Sequence, residues 1–127
     1  MSDTRPLVLV VEDSDAIRTA FTILLEESGY AVAAAPTGAD AVRLAGERIP
    51  DLVLLDLGLP DISGLDVARR IKGDPATRGI PVVALTGRDD ESDRQALLAA
   101  GCSDFWLKPV DTQALIRSLP GYIAKTP

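Results

Sequence analysis

Residues Leu52 to Gly64 read LVLLDLGLPDISG, and this stretch decides the fold. Four apolar residues, Leu52 to Leu55, run without polar alternation, so both faces of the segment need cover. The run is too short for a helix, stops on the carboxylate of Asp56, and is followed by a loop with Pro60 and Gly64. A short strand buried on both sides belongs in a parallel sheet with helices on each face.

The flanking segments repeat this unit. Upstream, Leu7 to Val11 is another continuous Leu and Val run, ended by Glu12-Asp13-Ser14. Ile17, Ala20, Phe21, Leu24 and Leu25 then mark one face of a helix that Gly29 stops. Tyr30 to Ala34 is extended, Thr37 caps a helix to about Arg48, and Pro50 closes it. Downstream, Leu65 to Lys72 reads as a helix, Pro81 to Leu85 as a strand, Glu91 to Ala100 as a helix and Ser103 to Leu107 as the last strand. A final helix starts near Asp111 and carries Leu115, Ile116 and Leu119, and Pro120-Gly121 predicts that it is short or kinked there. Five strands alternating with five helices define an α/β fold with a parallel sheet.

The 127 residues suit a single domain spanning 1–127, with a core at about 6–119. Hydrophobic residues at 46% and charged residues at 25% set the chain apart from disordered sequences. Its apolar runs fall far short of the roughly 20 residues of a membrane helix. No basic-then-apolar segment opens the chain, so a cytoplasmic location without membrane contact is expected. A net charge of −6 with scattered Lys and Arg argues against direct DNA binding. Histidine is absent and Cys102 is the one cysteine, which excludes an internal disulfide, a Cys/His zinc site and histidine acid–base chemistry. Cys102 itself reads as a small buried residue. Chemistry is left to carboxylates, hydroxyls and lysine.

In an open parallel sheet, ligands bind beyond the carboxyl ends of the strands, where strand order reverses. Those ends carry Glu12 and Asp13, then Asp56, Thr86 and Lys108, with only Pro36 and Thr37 after the second strand. In isolation Glu12-Asp13-Ser14 is a helix start and Thr86-Gly87 ordinary loop chemistry. Together they mean more. Three carboxylates in one crevice raise each other's pKa unless a cation neutralises them. Oxygen ligands without Cys or His suit Mg²⁺ better than Ca²⁺, with Mn²⁺ able to substitute. The run Arg88 to Asp93 reads as a solvated helix start, and Trp106 should face away from Phe105, beneath the last helix.

The acidic pair at 12–13, Asp56, the loop LPDISG at 59–64, Thr86 and Lys108-Pro109 resemble the CheY-like receiver family of two-component signalling over roughly residues 6–119. The resemblance implies a flavodoxin-like sheet of order 2-1-3-4-5. It makes Asp56 the nucleophile for a phosphoryl group supplied by a sensor histidine kinase, a phosphotransfer protein or a small acyl phosphate. Asp13, Asp56 and the backbone carbonyl of Gly58 become Mg²⁺ ligands, with Glu12 acting through water. Lys108 and Thr86 meet the phosphoryl oxygens, Thr86 and Phe105 form the switch, and the bond before Pro109 is cis. Gly58 and Arg88 border the phosphoryl group. Such a domain catalyses its own phosphorylation and dephosphorylation but serves chiefly as a switch, read by a downstream protein target. Phe105 departs from the tyrosine often found at its position and has no hydroxyl for a partner. Other classes fit less well. A phosphatase resembling the haloacid dehalogenase group would carry a second Asp where Gly58 stands, and Glu12-Asp13 would repel the phosphate of a flavin. A pseudo-receiver that never takes phosphate is opposed by the intact Glu12, Asp13, Asp56, Thr86 and Lys108, while a phosphate sink would keep the same chemistry.

Overall fold

Ten elements alternate along the chain in the computed structural model, which describes residues 4–87 and 91–124. They are β1 (Leu7–Val11), α1 (Asp15–Glu27), β2 (Ala31–Ala35), α2 (Gly38–Arg48), β3 (Leu52–Asp56), α3 (Gly64–Gly73), β4 (Val82–Thr86), α4 (Glu91–Ala99), β5 (Asp104–Leu107) and α5 (Thr112–Ala124). Every strand pair is parallel, in the order β2-β1-β3-β4-β5. The chain leaves β1 toward one edge for β2 and returns on the other side for β3, so strand order reverses between β1 and β3. Arg88 lies outside the described residues.

β3 and β4 are buried along their whole lengths, as runs without alternation require. Successive side chains of a strand point to opposite faces, which gives the sheet two cores. Leu9, Val11, Val53 and Leu55 pack with Ala41, Val67 and Ile71 from α2 and α3. Val8, Val10, Leu52 and Leu54 pack with Phe21 and Leu25 of α1 and with Leu115 and Leu119 of α5. Each such fully buried aliphatic side chain contributes about 1.5–3 kcal/mol. Ser14, Thr37 and Ser63 sit in extended conformation ahead of α1, α2 and α3 and accept from the amides of Ile17, Asp40 and Asp66. A cap of this kind stabilises by about 1 kcal/mol.

Two elements differ from their sequence patterns. In α1 the apolar stripe is only partly buried: Phe21 and Leu25 are inside, while Ile17 is 45% exposed. Ile17 lies in the first turn of α1, where it borders a groove with Lys108 and Pro109. The last helix is not shortened, because α5 runs through Pro120 to Ala124. Proline removes one amide donor and crowds the carbonyl four residues earlier, which costs about 3 kcal/mol in a helix interior. Interactions beyond the proline offset that cost. Tyr122 and Ile123 pack on the α1-side core, and the Tyr122 hydroxyl donates to Asp104 Oδ2 at 2.5 Å and accepts from Trp106 Nε1 at 2.9 Å. Trp106 and Phe105 lie on opposite sides of the sheet, with Trp106 beside α5.

No helix among the described residues is long and apolar enough to cross a membrane.

Candidate functional site

Four strands end in one crevice. Asp56 closes β3 and is 3% exposed, and its Oδ1 accepts from Lys108 Nζ at 2.7 Å and from the Gly58 amide at 3.1 Å. Lys108 follows β5, and its own amide donates to the Thr86 carbonyl at the end of β4 at 2.8 Å. Glu12 and Asp13 follow β1, and one carboxylate oxygen from each of Glu12, Asp13 and Asp56 lies within 4.8 Å of the others. Glu12 is 4% exposed and Asp13 is exposed, so the cluster is walled on the protein side and open to solvent on the other. The Lys108–Pro109 peptide is cis.

Three carboxylates against one ammonium leave two formal negative charges, which suits a divalent cation. At the effective dielectric near a protein surface, two like charges about 4.8 Å apart repel by on the order of 3 kcal/mol. All the donors are oxygen, so a hard ion fits and a soft one does not.

Burial pushes the Glu12 carboxyl above its ordinary value, the bond from the Ser14 amide pulls it back, and nearby Asp56 pushes it up further. A carboxyl raised in the folded state contributes stability that is fully present below its unfolded value, near 4.5, and is lost as pH rises through the folded value. Glu12→Gln stands in for the protonated form. In chelator at neutral pH this variant is expected to melt above the parent, with the gap closing as pH falls. A Glu12→Gln protein that melts below the parent at neutral pH would contradict this account of the cluster.

Thr86 is buried and borders a cavity of about 280 Å³ with Leu57, Ser63 and Leu97, on the α4 side of the sheet. Phe105 is half-buried against the same layer, and the Arg94 guanidinium carbon stands 5.4 Å from the centre of its ring. Cys102 is buried, and desolvation pushes its thiol up to about 11, which leaves it a poor nucleophile.

One residue carries more than its place in the loop pattern suggested. Asp61 accepts from the Gly38 amide at 2.8 Å and the Ala39 amide at 3.0 Å, so the loop after Asp56 caps α2 from outside. Those two bonds hold its carboxyl below its ordinary value. The loop sits so close that a Cβ on Gly38 would fall 2.4 Å from Ile62 Cγ1. An acid in a Pro-containing loop hints at a turn, but nothing local in the sequence names a partner 23 positions away.

The sheet order and the carboxylate-lined strand ends define a CheY-like α/β domain. The receiver domain of the sensor histidine kinase PA1611 from Pseudomonas aeruginosa PAO1, solved with a magnesium ion coordinated in its active-site cleft, has the same fold. It matches with a TM-score of 0.87 at 32% identity, over 96% of this chain and 100% of that one. The chain belongs to the response regulator receiver domain family, whose model matches residues 8–120. Among its relatives, the transcriptional regulatory protein AfsQ1 of Streptomyces coelicolor is 42% identical over 110 residues, and the polar-differentiation response regulator DivK of Brucella ovis is 35% identical over 116. The match covers 87% of this chain and 48% of AfsQ1, but 91% of this chain and 94% of DivK, so the chain spans about half of one relative and nearly all of the other. It is a receiver domain of two-component signalling, a class that works with histidine kinases.

Proposed function

We propose that the domain accepts a phosphoryl group on Asp56 from the phosphohistidine of a histidine kinase or phosphotransfer protein, or from a small acyl phosphate, and so switches a protein-binding surface. The observation that carries this reading is the grip on Asp56 Oδ1 by Lys108 and the Gly58 amide. With Oδ1 committed to two donors, the second carboxylate oxygen attacks phosphorus. The O–P bond forms as the donor's P–N bond breaks, and the electron pair leaves with the imidazole. Asp13, Asp56 and the Gly58 carbonyl would hold Mg²⁺ directly and Glu12 through water, with Mn²⁺ a substitute. When bound, the ion supplies charge stabilisation to the transferring phosphoryl oxygens. Lys108 then exchanges its carboxylate contact for a phosphoryl oxygen, and the Thr86 hydroxyl meets another. Drawing Thr86 toward the phosphoryl group changes the lining of the cavity beside it, and Phe105 on the same layer passes the change to the surface. Beside the cluster, Ile17, Pro109 and Val110 line an apolar groove that Glu12 and Lys108 also border.

Acetyl phosphate with Mg²⁺ tests the proposal by intact mass. One phosphoryl adduct, cleaved by hydroxylamine and not formed in chelator, is expected. No adduct, or one stable to hydroxylamine, would overturn it, because only an acyl phosphate is labile in that way.

A further inference from the structure

Arg18 stands in the first part of α1 with a mostly enclosed side chain, 20% exposed. Its Nη1 donates to the backbone carbonyl of Glu12 at 2.9 Å and to that of Asp13 at 3.4 Å. Its Nη2 pairs with the Asp15 carboxylate. Asp15 is 90% exposed, so solvent screens that pair. The carbonyl bonds are the more sheltered part of this arrangement.

Those two carbonyls belong to the residues that supply two of the three carboxylates in the cluster. The turn is held elsewhere by the Glu12 amide on the Ala35 carbonyl and by the Ser14 amide on Glu12 Oε2, each at 3.0 Å. The second of these closes over Asp13 through a side chain, and neither uses a backbone atom of Asp13. Mutual repulsion drives the carboxylates apart, and at this turn the Glu12 and Asp13 carbonyls are held by Arg18. We infer that Arg18 is a positioning residue for the metal site. It ties both carbonyls to α1 so that the two side chains converge on Asp56, and it touches neither the ion nor the phosphoryl group. This inference rests on the proposal that the cluster binds Mg²⁺.

Charge and position make opposite demands. A guanidinium acting only through its charge repels a divalent cation, so its removal tightens metal binding. A guanidinium that holds the ligands loosens binding when removed, even though a repulsive charge goes with it.

The experiment titrates Mg²⁺ into the parent, Arg18→Met and Arg18→Lys, following backbone amide shifts around Asp13 and Gly58, with thermal melts in chelator alongside. Arg18→Met keeps an apolar stem and loses the fork, and is expected to bind Mg²⁺ about tenfold more weakly, at the low end of what losing a supporting group costs a metal site. Arg18→Lys keeps the charge with one donor group and is expected to fall between. Unchanged or tighter binding by Arg18→Met overturns the inference and leaves the metal site standing. Absence of saturable binding by the parent overturns the metal reading and this inference with it. If Arg18→Met does not fold, Arg18→Lys decides alone, and affinity equal to the parent's overturns the role.

Discussion

Asp56→Asn is expected to abolish phosphorylation by acetyl phosphate while leaving the domain folded. Asparagine keeps an oxygen that can accept from Lys108 Nζ and the Gly58 amide, so the two bonds that seat the side chain survive. What is lost is chemical. A neutral amide is a poor nucleophile toward phosphorus and a weak metal ligand, so both the attack and one of the three carboxylates disappear. Mass spectrometry should find no hydroxylamine-labile adduct in the variant, and Mg²⁺ titrations should show weakened binding. Beryllofluoride, which occupies the same carboxylate, should shift Trp106 fluorescence or backbone amide resonances in the parent alone. A labile adduct or an unchanged beryllofluoride response in Asp56→Asn would place the acceptor elsewhere.

The second large effect is expected at Gly64. A Cβ there would lie 2.6 Å from Leu57 Cα and 2.9 Å from the Asp56 carbonyl oxygen, and both are backbone atoms that cannot rotate aside. The Gly64 amide also donates to the Leu57 carbonyl at 3.3 Å, which draws the start of α3 onto the end of β3. Gly64→Ala must therefore displace the segment that carries Asp56. Overpacking of this kind costs typically 1–3 kcal/mol, and the upper part of that range is expected here. Phosphorylation should slow as well, because Asp56 and the Gly58 carbonyl move with the strand end. Gly79→Ala is the control, since a Cβ at Gly79, away from the site, meets nothing within 4 Å. Denaturant unfolding and acetyl phosphate kinetics separate the two variants. A Gly64→Ala protein within about 0.5 kcal/mol of the parent would contradict the packing argument.

Much of the site was legible because each member ends an apolar run. A carboxylate after Leu55 and an acidic pair after Val11 stand out against wholly apolar runs, and a lysine follows the shorter run Phe105 to Leu107. Helix starts were legible for the same local reason, as Ser14 and Thr37 cap the residues that directly follow them. The failures share a cause too. Pro120 has a real local cost, and only Tyr122, reaching Asp104 and Trp106 from 16 to 18 positions away, shows why α5 continues past it. Ile17 fits the helical stripe, yet it is 45% exposed, at a groove beside Lys108 and Pro109 that forms only in the folded chain. The bonds from Arg18 to the Glu12 and Asp13 carbonyls have no signature in side-chain pattern at all, since their acceptors are backbone.

By itself the sequence determined which segments are strands, that the sheet is parallel and covered on both faces, and which residue types stand at its carboxyl edge. These follow from burial, which acts on each run separately. Only the tertiary structure decided that Lys108 meets Asp56 across 52 positions and that three carboxylates close to within 4.8 Å. It also decided that Asp61 belongs to α2 and Arg18 to the acidic turn. Those contacts are set by the register of neighbouring strands and by how loops settle on one another, and residues far apart along the chain acquire a distance only when the sheet between them is built.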